Sequence, residues 1–306
     1  MSPDFTVLDD RFTALLPGDA RVERVFTGSI WAEGPVYFRE GDFVLWSDIP
    51  NNRMLRWSPS DGASVFREPS NFTNGHTLDR QGRLVSCEHG GRRVSRTERD
   101  GSYAVLVDRF EGHRLNSPND VVVKSDGTIW FTDPPYGILS DWEGFAGTME
   151  YGGCNVFRLD PESGALSVVT GQFAKPNGLA FSPDESILYV ADTAASHDPD
   201  GQRDIWAFDV SADGASVAHG RRFAVCDAGM FDGFRIDVAG NVWTSAGDGV
   251  HVYSPEPRPK KIGAIRIPER AVANVVFGGP NGNILYIAAT TSLYRVELAI
   301  AGVQPC

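Results

Sequence analysis

Six short stretches place an oxygen-bearing side chain at the head of an apolar run: Glu33 in E-G-P-V-Y-F, Asn74 in N-G-H-T-L-D, Asn119 in N-D-V-V-V-K, Asn177 in N-G-L-A-F-S, Asp232 in D-G-F-R-I-D and Asn274 in N-V-V-F-G-G. A glycine falls eight places after the opening residue in five of them, and in the fourth Glu185 takes that place within Ser-Pro-Asp-Glu. If these openings converge, they form a ring of carboxylates and amides, which are ligands for a hard cation. Calcium takes six to eight oxygens at about 2.3–2.6 Å and tolerates irregular geometry. Two carboxylates offset a divalent charge, so the site need not bury net charge. No His or Cys recurs in this column, which disfavours zinc. The same residue types also cap turns ahead of strands. Glu at one opening, and the lack of Ser or Thr at any of the six, weigh towards the ring.

The elements that must position these residues repeat with them. A second run follows each opening, as in FVLWSD, RLVSCE, TIWFTD, ILYVAD, NVWTSA and ILYIAA, and then a third, as in RMLRWS, NVFRLD and DIWAFD. These runs are short, rich in β-branched and aromatic residues, and bounded by DG, GN or PD turns, which is the pattern of strands. A unit of about 50 residues with three strands and a weaker fourth matches a propeller blade. The expected fold is therefore all-β: a six-bladed β-propeller of four-stranded antiparallel blades around a central metal-binding channel, residues 1–306 forming a single domain. The segment before Ile30, including RVERVFT, is expected to close the last blade.

Two insertions, 134–154 and 193–204, separate second from third strands and should overhang the ring as lids or substrate walls. The second strands end in Asp48, Glu88, Asp133 and Asp192, with Ala246 and Ala289 in the last two units. These carboxylates either orient the ring amides or cap strand ends.

Composition excludes several classes of partner. The formal charge of −12 and pI near 4.9 argue against nucleic acid and anionic membrane. Cys87, Cys154, Cys226 and Cys306 are scattered and read as buried free thiols. No basic, apolar leader opens the chain and no run of 18 apolar residues occurs. A cytoplasmic protein is expected, or a periplasmic one if a signal peptide has been removed, as a monomer or weak homo-oligomer.

WAEGPVYF, SDIPNNRMLRW, RLNSPNDVVVKSDGTIWFTDPPYGI, KPNGLAFSPDESILYVADT and DGFRIDVAGNVWTSAGDGVHVY resemble the SMP-30/gluconolactonase family, above all its bacterial gluconolactonases. The resemblance runs from about Trp31 to Tyr253 and more loosely beyond. It implies a propeller with a divalent metal, usually Ca2+, held by Glu33, Asn119, Asn177 and Asp232. Asn74 and Asn274 share the column without matching a family ligand and become substrate-contacting or outer candidates. Asp120 corresponds to a position proposed to touch substrate in some relatives. A substrate-binding arginine of the animal members falls at Ser117 here, with Arg114 the nearest replacement.

Opening a lactone requires a polarised carbonyl, an activated water and a stabilised oxyanion. Asp232 is the expected general base or water-orienting group, with Glu33 mainly holding the ion. His89 and His76 are weighed as further acid–base groups, and Tyr136, Trp142, Phe145 and Tyr151 as stacking surfaces for a sugar ring. Neither a G-x-S-x-G elbow nor a nucleotide-binding glycine motif is present. The expected activity is hydrolysis of D-glucono-1,5-lactone. A calcium-dependent phosphotriesterase or fluorophosphatase and a non-catalytic, calcium-plugged binding propeller are the alternatives.

Overall fold

In a computed structural model that describes residues 3–255 and 257–304, antiparallel sheets form a six-bladed β-propeller. The inner strands are Ala32–Phe38, Thr73–Leu78, Val121–Val123, Pro176–Phe181, Phe234–Ile236 and Val272–Gly278, each at one edge of its sheet. They stand side by side around the channel in chain order, the last returning to the first. Each of the openings read from the sequence lies on, or just ahead of, one of these strands.

The aromatic second strands explain why the blades stack. Trp46, Trp130, Tyr189, Trp243 and Tyr286 are fully buried, and six apolar clusters each fill the gap between neighbouring blades. Trp130 of the third blade meets Phe181 of the fourth edge-on at 5.1 Å between centroids, and Trp243 of the fifth meets Phe277 of the sixth at 5.9 Å. Edge-to-face contact is favoured because the positive ring edge meets the negative face.

The N-terminal segment serves two blades. Glu23–Thr27 pairs with Ser292–Glu297 as the outer strand of the sixth blade, so one sheet holds both ends of the repeat array. Phe5–Val7 adds a fifth strand to the fifth blade along Lys261–Arg266, with Phe12 buried beside Trp243. A short ribbon, Arg109–Phe110 with His113–Arg114, lies between the second and third blades. Cys87, Cys154 and Cys226 are free and buried, while Cys306 lies outside the described residues. No helix among the described residues is long and apolar enough to cross a membrane.

Candidate active site

Glycine lets the ring close tightly. Glu33 and Asn177 are each followed by a glycine whose missing side chain admits the next blade. A Cβ on Gly34, which also has φ +53°, would overlap the Asn74 carbonyl oxygen, and one on Gly178 would overlap that of Asp232. Gly75 and Gly233 similarly approach Asn119 and Asn274, and their N–H groups donate to Asn119 O at 2.7 Å and Ala273 O at 2.8 Å. Successive inner strands are thus drawn together where their oxygen-bearing side chains face the channel.

The strand-end carboxylates hold the approach to the ring rather than the ring amides. Asp48 accepts from the main-chain N–H of Ile30 (2.8 Å) and Trp31 (3.3 Å), three and two residues before Glu33. Asp133 accepts from Asn116 (2.7 Å) and Ser117 (2.8 Å), at the same offsets from Asn119, and Asp192 does so from Ala174 (2.9 Å) and Lys175 (3.1 Å) ahead of Asn177. In the second blade Glu88 takes the Asn71 side-chain amide at 3.0 Å instead. Asp48, Asp133 and Asp192 thus fix the backbone from which a ring side chain projects.

Glu33, Asn74, Asn119, Asn177 and Asp232 line one cavity of about 410 Å³ at the channel mouth. Both insertions overhang it, contributing Tyr136, Leu139, Ser140, Trp142 and Glu143 from one and Thr193, Ser196 and His197 from the other. Glu33 Oε2 accepts from Gly34 N at 2.6 Å and Asn274 Nδ2 at 3.2 Å, and the Asn177 side chain hydrogen-bonds Asp232. Burial raises Glu33 to about 8, with the Asp120 charge adding to the effect. Burial, then the Glu33 charge, pushes Asp232 well above the ordinary carboxylate range.

Among the described residues no Lys, Arg or His forms an ion pair with Glu33 or Asp232. Two desolvated carboxylates that repel each other, with amide oxygens between them and no protein cation alongside, fit a divalent ion. Glu33, Asn119, Asn177 and Asp232 are the residues that would hold it.

The profile of the SMP-30/Gluconolactonase/LRE-like region matches residues 31–291. The chain belongs to this family. A gluconolactonase of Zymomonas mobilis is 32% identical over 97% of the chain and 86% of its own length. A solved gluconolactonase from Xanthomonas campestris superposes with a TM-score of 0.88 at 37% identity, covering 96% of this chain and 94% of that one. A pentonolactonase of Haloferax volcanii is 29% identical over 83% of the chain and 80% of its own length.

Within this family fold, several residues singled out from the sequence lie elsewhere than the cavity. His76 is two residues beyond Asn74, about 7 Å further along an extended strand, and lines a separate cavity of about 330 Å³ at the other end of the channel. It is buried between Ser47 Oγ and Ser86 Oγ, both at 2.8 Å, and desolvation lowers it to about 3. Arg114 is exposed on the short ribbon, its main-chain N–H on Glu150, and does not line the mouth. Asp120 sits below the ring, where Oδ1 accepts from Val121 N at 2.8 Å and Oδ2 lies 3.5 Å from Arg235 Nη1.

His89 lies behind the cavity wall. Desolvation lowers it to about 4, so it is neutral at pH 7. Its Nε2 sits 3.3 Å from the Asn74 amide nitrogen, which can only donate, so Nδ1 carries the hydrogen and donates to the Glu143 carbonyl at 3.1 Å. Tyr136 is at the cavity, its hydroxyl donating to Thr193 O at 3.2 Å and thereby tying the two insertions together. Tyr151 packs on Phe110 and Phe157 and hydrogen-bonds Asp133, which is a structural duty, and Phe145 packs on Phe72.

Glu143, His197 and Arg270 line the cavity without having been singled out from the sequence as site residues. Glu143 sits within an insertion, His197 within another, and Arg270 just ahead of the last inner strand. None belongs to a column that repeats from blade to blade. Arg270 is exposed at the rim and, among the described residues, makes no hydrogen bond or ion pair.

Proposed function

We propose that the mouth cavity hydrolyses D-glucono-1,5-lactone to gluconate on a divalent ion held by Glu33, Asn119, Asn177 and Asp232, with calcium the first candidate. The broader class, a sugar-lactone hydrolase, follows from family membership and from lactonases at 32% and 37% identity. The single observation that carries the finer reading is the pair of buried, mutually repelling carboxylates with no protein cation beside them, on the floor of a cavity walled by polar and aromatic side chains.

A bound divalent ion would supply Lewis acidity for the carbonyl oxygen and lower the pKa of a nearby water. The protein residues do the rest. Asp232 is placed to orient the attacking water, its main-chain N–H fixed on Ser245 Oγ at 2.8 Å. Asn74, held by His89, offers an amide to a substrate hydroxyl. Tyr136 and Trp142 present ring faces and edges to the sugar, and Arg270 at the rim is placed to contact the bound lactone. The 410 Å³ cavity accommodates a hexonolactone with several waters.

The test is a pH-stat assay of glucono-1,5-lactone with calcium present, comparing the wild type with Asp232→Asn. Acid release above the uncatalysed rate that falls at least 100-fold in the variant, with unchanged circular dichroism, is expected. A wild type that binds calcium and is stabilised by it yet releases no acid would identify a calcium-plugged binding propeller.

A further inference from the structure

Lactone opening needs two proton transfers, one away from the attacking water and one to the departing ring oxygen. Asp232, if engaged with a cation, is a weak base for the first. The cavity holds one carboxylate outside the ring. Glu143 comes from the insertion that follows the third blade's second strand and lines the mouth together with Asp232, Asn177 and Tyr136. Its side chain is 23% exposed.

The loop around Glu143 is built to hold it still. Phe145 N–H donates to Gly137 O at 3.0 Å, Gly147 N–H to Ile138 O at 2.9 Å, and Ala146 N–H to Asp141 Oδ1 at 2.8 Å. Phe145 meets Phe72 edge-on at 5.3 Å. His89 donates to the Glu143 carbonyl, and its Nδ1 lies 3.9 Å from the carboxylate itself. With one His89 nitrogen donating to this loop and the other accepting from Asn74, the imidazole has no free site for proton transfer. The charged groups facing Glu143 are Glu33 and Asp232 from the ring, while His197 and Arg270 share the cavity wall.

We propose that Glu143 is the proton-transfer residue of this lactonase. Its carboxylate takes a proton as the water oxygen bonds to the lactone carbonyl carbon and the carbonyl π pair moves onto oxygen. When that pair returns, the carbon–ring-oxygen bond breaks and the same proton passes to the ring oxygen, which becomes the free hydroxyl. Glu143 ends ionised as it began, and the hydroxy acid loses its own proton to solvent. The inference rests on the lactonase reading above.

The experiment measures kcat and KM for glucono-1,5-lactone against pH in the calcium-loaded wild type, Glu143→Gln and Glu143→Asp, with calcium affinity measured by calorimetry on each. Expected are a fall in kcat of about 100- to 10,000-fold in Glu143→Gln, KM and calcium affinity within about threefold of wild type, and loss of the acid limb of the kcat profile. Glu143→Asp should retain partial activity with the limb displaced. Formate should restore activity to Glu143→Ala, a response that a merely structural side chain would not give. Glu143→Gln with kcat within threefold of wild type, or with the acid limb intact, overturns the inference. So does a kcat loss matched by an equal loss of calcium affinity, because Glu143 would then be holding the ion. A wild type that opens no lactone removes the lactonase reading itself, whereas an active wild type with an equally active Glu143→Gln removes only the role of Glu143.

Discussion

Calcium binding to the metal-free protein should release protons, because burial favours the protonated form of the two carboxylates that would receive the ion. Burial raises Glu33 to about 8, so at pH 7 roughly 0.9 of it carries a proton. Asp232 is raised as well, first by burial and then by the Glu33 charge. Ligation requires both as carboxylates. The sign follows: the free site holds more protons than the loaded one, so affinity must rise with pH. Between one and two protons should leave per ion at pH 7, shared by the pair rather than assigned to one member. Linkage then gives an affinity that rises about 10- to 100-fold from pH 6 to pH 7 and flattens only once both carboxyls ionise unaided. Isothermal titration calorimetry in buffers of different ionisation enthalpy reads the proton number directly as the slope of observed enthalpy. A slope of zero from pH 6 to pH 8, or an affinity independent of pH there, would refute the assignment of Glu33 and Asp232 as neutral in the free site.

Two substitutions examine how the fold holds the ring, and a third examines the rim. Asp133→Asn weakens the carboxylate that fixes the Asn116 and Ser117 N–H groups ahead of Asn119, and calorimetry should show calcium affinity about 10- to 100-fold lower although no candidate ligand is touched. Gly178→Ala drives a Cβ into the Asp232 carbonyl, so the melting temperature should fall and calcium should no longer raise it as far as in wild type; an unchanged response would show that close approach of these two strands is dispensable. Arg270→Ala removes the unpaired cation at the rim, and KM for the lactone should rise about three- to tenfold with kcat within twofold if the guanidinium binds substrate and transition state alike.

How far the sequence disclosed this molecule depended on repetition. Six openings, five of them with a glycine eight places on, made the inner strands legible, and Trp46, Trp130 and Trp243 marked the second strands, because each blade must bury the same face against its neighbour. Five of the six openings, Glu33, Asn74, Asn119, Asn177 and Asp232, line one cavity, whereas Asn274 is absent from its lining and donates to Glu33 Oε2 instead. The strand-end carboxylates were legible as a column but not in their role, since main-chain partners three and two residues ahead of a ring position leave no trace in side-chain identity. Single-copy features were harder. Glu143, His197 and Arg270 reach the cavity from segments present in one blade each, where no period exposes them. His76 misled because alternation gives the face of a strand but not the depth along the channel. Arg114 misled because proximity in sequence to Asn119 does not survive the ribbon that turns it outward. Phe5–Val7 is too short to register as a strand until the edge of the fifth blade completes it.

The most direct test of the lactonase account is hydrolysis of glucono-1,5-lactone followed by pH-stat with metal-stripped protein, before and after calcium is returned. The account predicts only the uncatalysed rate in the stripped protein and full recovery on adding back the ion, with no recovery in Asp232→Asn. Undiminished hydrolysis after thorough chelation would contradict it.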